Sequence, residues 1–273
     1  MNDPAVTSIS TVTSTEAIGL VGVGRAGRPR SVVLTAPAKL TLTLRITGLL
    51  GRGMHALDAE MVTLDFHDRL TVTPLPPATP PEASEVRFEG TDDVIDPENN
   101  LVTQALALAG RAARVSVTKA IPAGAGLGGG SADAAAILRW AGYTDHAEAA
   151  FRLGADVGFC LRGGRAHVTG FGEKLEPLPF KDLVVTLVTP PVRCATGDVF
   201  KAWDCLGGPQ GPGVNDLELA ALEVAPELVR WRDELGETTG QQPHLAGSGS
   251  TWFVYGAYPG PGRVVARTVP ASA

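Results

Sequence analysis

The sequence predicts an α+β chain of two domains. Apolar and polar residues alternate along residues 40–46 and 115–118, a period of two that is typical of strands. Residues 132–140 are rich in helix formers with few polar interruptions. Prolines at 177 and 179 interrupt the chain before an apolar run, which places the domain boundary after residue 177. With 44% apolar residues, a chain of 273 residues has ample material for a core.

The first 30 residues are rich in Ser, Thr, Gly and Ala and lack an amphipathic period, so we predict a mostly disordered extension there. Residues 22–27 read GVGRAG and formally match the G-x-G-x-x-G pattern of dinucleotide sites. No strand and helix surround this match, and Pro29 follows it, so we assign no dinucleotide site to it.

The elements of the predicted N-terminal domain, residues 31–177, begin with a strand. Leu40, Leu42, Leu44 and Ile46 share one face, which predicts a strand with one buried side. The later predictions are a turn at 48–55, strands at 59–64 and 69–72 separated by the polar segment 65–68, a proline-rich loop at 74–85, a short strand at 86–88, and a helix at 99–109 capped by Asn99 or Asn100.

Short helices and strands are predicted along the second half of the chain. A helix at 147–153 leads through residues 153–159 into a strand at 166–169. The predicted C-terminal domain, residues 178–273, has a buried strand at 183–188, helices that begin at Thr196, Asn215 and Pro226, a flexible loop at 207–213, a glycine turn between two strands within 244–255, and a Pro/Gly-rich tail after Pro259.

Composition limits the classes of partner. The net charge of −6 leaves no global basic surface for nucleic acid, so we expect a small-molecule partner. Three cysteines without C-x-x-C spacing argue against a disulfide framework and a structural zinc site, and indicate a reducing cytoplasm. No segment has the apolar length of a membrane span, and no signal peptide is recognisable.

Residues 119–138 read KAIPAGAGLGGGSADAAAIL and carry the strongest functional signal. A strand, a glycine loop and a helix present free backbone N–H groups and the positive end of a helix dipole, which suits a phosphate. Glycine lets bare backbone approach phosphate oxygens and reach positive φ. Ser131 lies at the predicted helix start, where its hydroxyl could cap the helix or reach a phosphate or its metal ion.

Two common phosphate motifs do not fit this loop. A P-loop needs a lysine directly before the Ser or Thr, and none precedes Ser131. A dinucleotide turn needs an acidic residue at the end of a second strand, and Asp145 does not end one. A flexible linker would not run from an alternating strand into an alanine-rich helix.

The loop closely resembles the phosphate loop of the GHMP small-molecule kinases, whose pattern is P-x-x-x-G-L-G-S/G-S-S/A. Other blocks match the same family in order over residues 33–256, in particular its members that phosphorylate 4-diphosphocytidyl-2-C-methyl-D-erythritol. They are PAK at 37–39, GMH at 53–55, GADV at 154–157, FGE at 171–173, NDLE at 215–218 and AGSGS at 246–250.

The resemblance implies a two-domain α+β GHMP kinase fold with the site in the cleft between the halves. The N-terminal, ATP-binding domain would be similar to domain 2 of ribosomal protein S5, and the C-terminal domain would be ferredoxin-like. The activity implied is ATP-dependent phosphorylation of the substrate's 2-hydroxyl in the non-mevalonate route to isoprenoids. We expect a monomer or a homodimer.

The resemblance also assigns roles to residues. Asp156 would be the general base, and Lys39 would hold it and the developing charge. Mg²⁺ would arrive with ATP, and no residue is assigned as a metal ligand. The ATP phosphates would lie on Pro122, Gly124, Gly126, Gly128, Gly129, Gly130 and Ser131.

The cytidyl group would contact His55 through base recognition, Phe200 through stacking, and Thr196. Two substrate positions depart from the family pattern, with Thr41 in place of an asparagine and Met54 in place of an aromatic residue. The alternatives are therefore a GHMP kinase of another small alcohol, such as homoserine or a mevalonate derivative, and a nucleotide-binding protein of this fold that has lost catalysis.

Overall fold

The computed structural model describes residues 30–91, 96, 100–211 and 213–271. Residues 1–29, which make up nearly all of the predicted extension and include the GVGRAG match, lie outside the described residues, as does Asn99.

The described residues mix helices and strands, which confirms the α+β class. The strands are β1 (Val32–Leu49), β2 (His55–Pro74), β3 (Glu85–Glu89), β4 (Ala113–Thr118), β5 (Arg165–Gly170), β6 (Lys174–Pro177), β7 (Val184–Val188), β8 (His244–Leu245), β9 (Trp252–Tyr255) and β10 (Arg263–Val269). The helices are α1 (Leu101–Leu108), α2 (Gly129–Trp140), α3 (His146–Leu153), α4 (Ala155–Arg162), α5 (Thr196–Cys205), α6 (Glu218–Val224) and α7 (Leu228–Thr239).

Strand β2 lies at the centre of the sheet. It pairs antiparallel with β1 along nearly its whole length, with β5 near its beginning and with β4 at its end. Strand β10 pairs with β2 at Thr268 and Val269, and with β7 along the five residues before them. The sheet therefore continues across the boundary that we predicted after residue 177, and that boundary stays a prediction.

Two of the hydrophobic clusters matter for the site. The first packs α1, α2 and α4 against the sheet, with Leu70, Val117 and Ile137 fully buried. The second, which we call the shared core, joins Leu40 and Leu127 to Leu187 and Phe253 from beyond residue 177. Because Leu127 belongs to the glycine loop, the shared core holds that loop between the two parts of the chain.

Several predicted elements are confirmed. The strands predicted at 115–118, 86–88 and 183–188 correspond to β4, β3 and β7, and the helix predicted at 99–109 corresponds to α1. Asn100 caps α1, since its side-chain oxygen accepts a hydrogen bond from Thr103 N at 3.0 Å. The helices predicted to begin at Asn215 and Pro226 begin slightly later, at Glu218 and Leu228.

The polar segment 65–68 does not separate two strands, and our prediction of a break there was wrong. β2 is one strand of 20 residues that runs through it. Asp68 is fully buried, and its Oδ1 accepts hydrogen bonds from the backbone N–H groups of Ala120 and Ile121. The aspartate therefore continues the strand and anchors the segment that leads into the glycine loop.

Sequence reasoning also missed helix α4, which lies mostly within residues 153–159, where we predicted only a connection to the next strand. Gly158 lies inside this helix, and a Cβ there would be 2.7 Å from His146 O and 2.8 Å from the Ala150 Cβ. Gly158 thus serves the close packing of α4 on α3 and does not end the helix.

Strand predictions failed in two further places. β10 lies in the tail described only as rich in Pro and Gly, and its conformation depends on pairing with distant strands. β1 is buried on both faces at its centre, where Lys39 and Thr41 are enclosed as well as Leu40, whereas we predicted one buried side.

Candidate active site

Lys39 and Asp156 lie next to each other, as we expected. Lys39 follows a register shift in β1, and Asp156 lies in the first turn of α4. The Lys39 Nζ is 3.3 Å from Asp156 Oδ2, with the lysine side chain 6% exposed and the aspartate 35% exposed. Lys39 Nζ also donates a hydrogen bond to Thr41 Oγ1 at 3.3 Å. A buried ammonium therefore orients a carboxylate that remains open to a ligand.

Three glycines give the loop its shape. Gly124, Gly126 and Gly128 have φ of +70°, +76° and +67°, a region that L side chains rarely adopt. A Cβ on Gly126 would lie 2.2 Å from Ala246 O, and one on Gly128 would lie 2.8 Å from Lys39 Cγ. The loop therefore passes directly over the catalytic candidate Lys39 with no room for side chains.

Helix α2 begins earlier than predicted. Gly128 is its N-cap, in the left-handed conformation, and no side chain caps the helix. Ser131 is the third helical residue, so its predicted capping role is wrong. The N–H groups of Gly129, Gly130 and Ser131 lie in the first turn, where an α-helix offers them no internal acceptor. Their donors and the positive end of the 12-residue helix favour an anion there.

A buried ionic cluster lies at the base of the glycine loop, and sequence reasoning missed it. Lys119 Nζ donates to Asp68 Oδ2 at 2.5 Å and to Asp133 Oδ2 at 2.7 Å. None of the three side chains is more than 6% exposed. The signal that could have found them was charge within an otherwise apolar segment, since Lys119 and Asp133 flank the glycines.

Burial changes the acidity of Asp133. Loss of solvation raises its pKa to about 7, against the opposing attraction of Lys119 and with a further upward contribution from Asp68. Its Oδ1 atom is buried and has no hydrogen-bond partner among the described residues. The cluster thus ties the strand before the loop to the helix after it.

A second glycine turn, residues 246–250, closes over the first. Thr251 N donates to Ala125 O at 3.2 Å, which joins the two segments. The buried Asn215 amide donates to Leu245 O and Gly247 O at 2.9 and 2.7 Å. Asn215 was expected only to begin a helix, but it fixes the conformation of this turn.

Helix α5 connects the turn to the residues expected to bind the cytidyl group. Thr196 Oγ1 lies 3.1 Å from Ser248 Oγ at one end of the helix. In the middle of the helix, Phe200 stacks on His55 with ring centroids 4.7 Å apart. A helix rises about 1.5 Å per residue, so Thr196 and Phe200 are about 6 Å apart along the axis of α5.

The remaining predicted residues are near these contacts. Met54 precedes His55 at the start of β2 and is 42% exposed. Pro122 is exposed at the entrance of the glycine loop. The structure therefore brings Lys39, Thr41 and Asp156 together around one point, and His55 and Phe200 around another.

In the part of the chain that the structure describes, no three His, Cys, Asp or Glu side chains are grouped so that they could hold a metal ion. Mg²⁺ commonly takes phosphate oxygens and waters with only one or two carboxylates, and the open carboxylate of Asp156 is compatible with that pattern. Within the same described residues, no helix is long and apolar enough to span a membrane.

Comparison with known proteins places the loop in a named domain. The family model for the GHMP kinases N terminal domain matches residues 100–167, which contain the glycine loop and Asp156.

Curated relatives extend the match over most of the chain. The 4-diphosphocytidyl-2-C-methyl-D-erythritol kinase of Novosphingobium aromaticivorans is 38% identical over 248 residues, which cover 83% of this chain and 85% of the relative. The enzyme of the same name from Paracoccus denitrificans is 37% identical and covers 80% and 84%.

Solved structures agree with the sequence relatives. A crystal structure of 4-(cytidine 5'-diphospho)-2C-methyl-D-erythritol kinase superposes with a TM-score of 0.67 at 29% identity, over 87% of this chain and 99% of that one. Homoserine kinase from Cytophaga hutchinsonii, at 17% identity with a TM-score of 0.60 over 93% and 98% of the two chains, shares the fold. The chain therefore belongs to the 4-diphosphocytidyl-2-C-methyl-D-erythritol kinases, a branch of the GHMP kinase family.

Proposed function

We propose that the protein transfers the γ-phosphoryl group of ATP to the 2-hydroxyl of 4-diphosphocytidyl-2-C-methyl-D-erythritol, in the methylerythritol phosphate route to isoprenoid precursors. The observation that carries the proposal is the 3.3 Å contact between Lys39 Nζ and Asp156 Oδ2 directly beside the glycine loop. The relatives that match most of the chain bear the name of this activity.

Asp156 and Lys39 have separate roles in the phosphoryl transfer. The Asp156 carboxylate accepts the hydroxyl proton while the substrate oxygen forms its bond to the γ-phosphorus and the bond to the β-phosphate oxygen breaks, which leaves ADP and the phosphate ester. Lys39 holds the carboxylate in place and stabilises the negative charge on the substrate oxygen. An alcohol hydroxyl is a very weak acid, so it reacts slowly without such a positioned base.

The glycine loop aligns the other substrate. Backbone N–H groups from Gly124 to Ser131 donate to the phosphate oxygens, and the N-terminus of α2 supplies positive potential. Mg²⁺ bound to the nucleotide neutralises phosphate charge. Since phosphoryl transfer depends mainly on alignment and charge stabilisation, these features account for catalysis without a covalent enzyme intermediate.

The cytidyl alcohol lies along α5 in this proposal. Its reacting hydroxyl is at Asp156, Thr196 contacts the middle of the molecule, and the base meets Phe200, His55 and Met54. Thr41 takes the place of the family's asparagine and accepts a hydrogen bond from Lys39, so it supports the lysine as well as the substrate. Met54 offers a polarisable thioether in place of a ring.

We place this reaction in the cytoplasm, with the enzyme a monomer or homodimer that binds no nucleic acid. The net charge of −6 and three cysteines without paired spacing support this assignment.

The first test replaces the proposed base. Purified wild-type protein with ATP, Mg²⁺ and the cytidyl alcohol is expected to release ADP and form the 2-phosphate ester, measured by coupled assay and mass spectrometry. Asp156→Asn is expected to lower kcat at least about 100-fold, because the amide cannot accept the proton. The matched control is Asp145→Asn, whose side chain caps α3 away from the site and should leave kcat unchanged.

Other outcomes would refute the proposal in different ways. Wild-type protein that releases no substrate-dependent ADP would exclude the cytidyl kinase activity. A panel of homoserine, mevalonate and related alcohols then identifies a different acceptor, and calorimetry with ATP identifies a binding protein without turnover.

A further inference from the structure

One face of helix α5 surrounds the imidazole of His55. Phe200 stacks on the ring at 4.7 Å with an interplanar angle of 26°, and Trp203 meets it edge-on at 5.4 Å and 88°. Asp204 Oδ1 lies 2.8 Å from His55 Nε2. These three residues follow the i, i+3, i+4 spacing of one helix face, so a single element decides how the imidazole is oriented.

The bond to Asp204 determines which ring nitrogen remains for a ligand. An ionised carboxylate only accepts hydrogen bonds, so Nε2 carries the hydrogen and donates it. Among the described residues, Nδ1 of His55 has no hydrogen-bond partner, and it keeps some access to solvent. In the neutral ring Nδ1 therefore offers a lone pair.

The surroundings of His55 restrict which ligand atoms can bind to Nδ1. The His55 side chain is only 9% exposed although Asp204 is 50% exposed, so a base that stacks here removes the rest of the ring from water. A polar atom removed from water and left without a partner is unfavourable, and two acceptors facing each other are worse. A ligand atom that meets Nδ1 must therefore be a hydrogen-bond donor.

We propose that Asp204 is a specificity-determining positioning residue, which holds His55 so that Nδ1 accepts a hydrogen bond from the exocyclic amino group of cytosine. The inference rests on the proposed function and deepens it. Uracil has a carbonyl oxygen where cytosine has the amino group, so it places an acceptor against Nδ1. Asp204 thereby enables discrimination between cytidyl and uridyl substrates without touching either.

The simpler alternative is that Asp204 forms an ordinary surface ion pair. Such pairs contribute little to stability, and their removal alters neither substrate affinity nor base preference. The two interpretations thus predict different values of KM and of base preference, which a purely structural role of Asp204 would not change.

The experiment compares KM and kcat for the cytidyl alcohol and its uridyl analogue in wild type, Asp204→Ala and Asp204→Asn. We expect Asp204→Ala to raise KM for the cytidyl substrate about tenfold with kcat within about twofold, and to leave KM for the uridyl analogue unchanged. Asp204→Asn should restore both KM and preference, because its amide oxygen still accepts from Nε2. Asp198→Ala on the same helix is the control, since that exposed carboxylate pairs with Lys201.

The outcomes separate the two proposals. No wild-type turnover of the cytidyl alcohol refutes the proposed function. Wild-type turnover together with an Asp204→Ala KM and preference equal to wild type refutes this inference alone, as does a loss confined to kcat. If Asp204→Ala fails to fold, Asp204→Leu removes the acceptor while keeping a good helix former, and calorimetry with CDP and UDP then gives the affinity ratio directly.

Discussion

Three buried side chains at the base of the glycine loop include one more acidic group than basic groups. Lys119 supplies one positive charge, and Asp68 and Asp133 supply two carboxylates. Asp68 also accepts backbone hydrogen bonds from Ala120 and Ile121. Burial, with a further upward contribution from Asp68, raises the pKa of Asp133 to about 7 against the attraction of Lys119.

Asp133→Asn should reveal this titration in the stability of the protein. Because the pKa of about 7 in the folded state exceeds the ordinary 3.8, the contribution of protonated Asp133 is complete below about pH 4 and is lost as pH rises to about 7. The asparagine variant lacks that loss, so its free energy of unfolding relative to wild type should rise by about 2 kcal/mol from pH 5 to pH 8.

Urea unfolding at the two pH values measures the difference. Asp198→Asn, in which the replaced aspartate is exposed, is the control and should give a difference that does not change with pH. A pH-independent difference for Asp133→Asn as well would mean that Asp133 is ionised throughout this range.

At the scale of elements, two glycine segments form the site by close contact. Residues 124–128 approach residues 246–250 so closely that a Cβ on Gly126 would collide with Ala246 O and Gly249 O. Asn215 fixes the second segment through two carbonyl groups, and Thr251 joins it to the first. The anion site therefore depends on loop-to-loop packing as well as on the loop's own conformation.

Comparison of Gly126→Ala with Gly142→Ala should distinguish the effect of lost loop packing from that of backbone strain. Gly126 and Gly142 have nearly equal φ, +76° and +75°, but nothing lies within 4 Å of a Cβ on Gly142. Both substitutions should cost about 1 kcal/mol in strain. Only Gly126→Ala must also displace the 246–250 turn, so we expect its kcat/KM for ATP to fall at least about tenfold while that of Gly142→Ala stays near wild type.

Initial rates of ADP release over a range of ATP concentrations, with the unfolding free energy of each variant, provide the comparison. Equal losses of kcat/KM in the two variants would contradict a role for loop-to-loop packing.

At the scale of the whole molecule, β10 connects the parts of the chain before and after residue 177. Arg263–Arg267 pair with β7, and Thr268 and Val269 pair with β2. Ala266 of β10 lies in the shared core with Leu40 and Leu127. The strand that ends the described chain thus supports the glycine loop.

Ala266→Asp should destabilise both parts of the molecule. Ala266 is 1% exposed, whereas the adjacent Val265 is 40% exposed on the other face. We expect a cost of about 3 kcal/mol for Ala266→Asp, because it buries a charge, and of at most about 1 kcal/mol for Val265→Asp. Amide hydrogen exchange should show lower protection in both β2 and β7. Loss of protection in β7 alone would mean that the two parts unfold independently.

The sequence by itself determined the glycine loop and the strands and helices with clear periods. The loop was recognisable because its glycines, the preceding strand and the following helix are contiguous, so short-range pattern carries the information. Asp156 and Lys39 became a pair only through the family resemblance, since their separation in the chain says nothing about distance.

The tertiary structure alone decided the polar contacts for which no resemblance had prepared us. Asp68 was predicted to lie in a break between strands, but it bonds to an amide 52 residues away, and His55 meets Asp204 149 residues away. β10 has no period that sets it apart from its Pro/Gly-rich surroundings. Local pattern specifies backbone propensity, whereas burial of charge, strand register and ring contacts depend on what the folded chain brings alongside, which no short segment encodes.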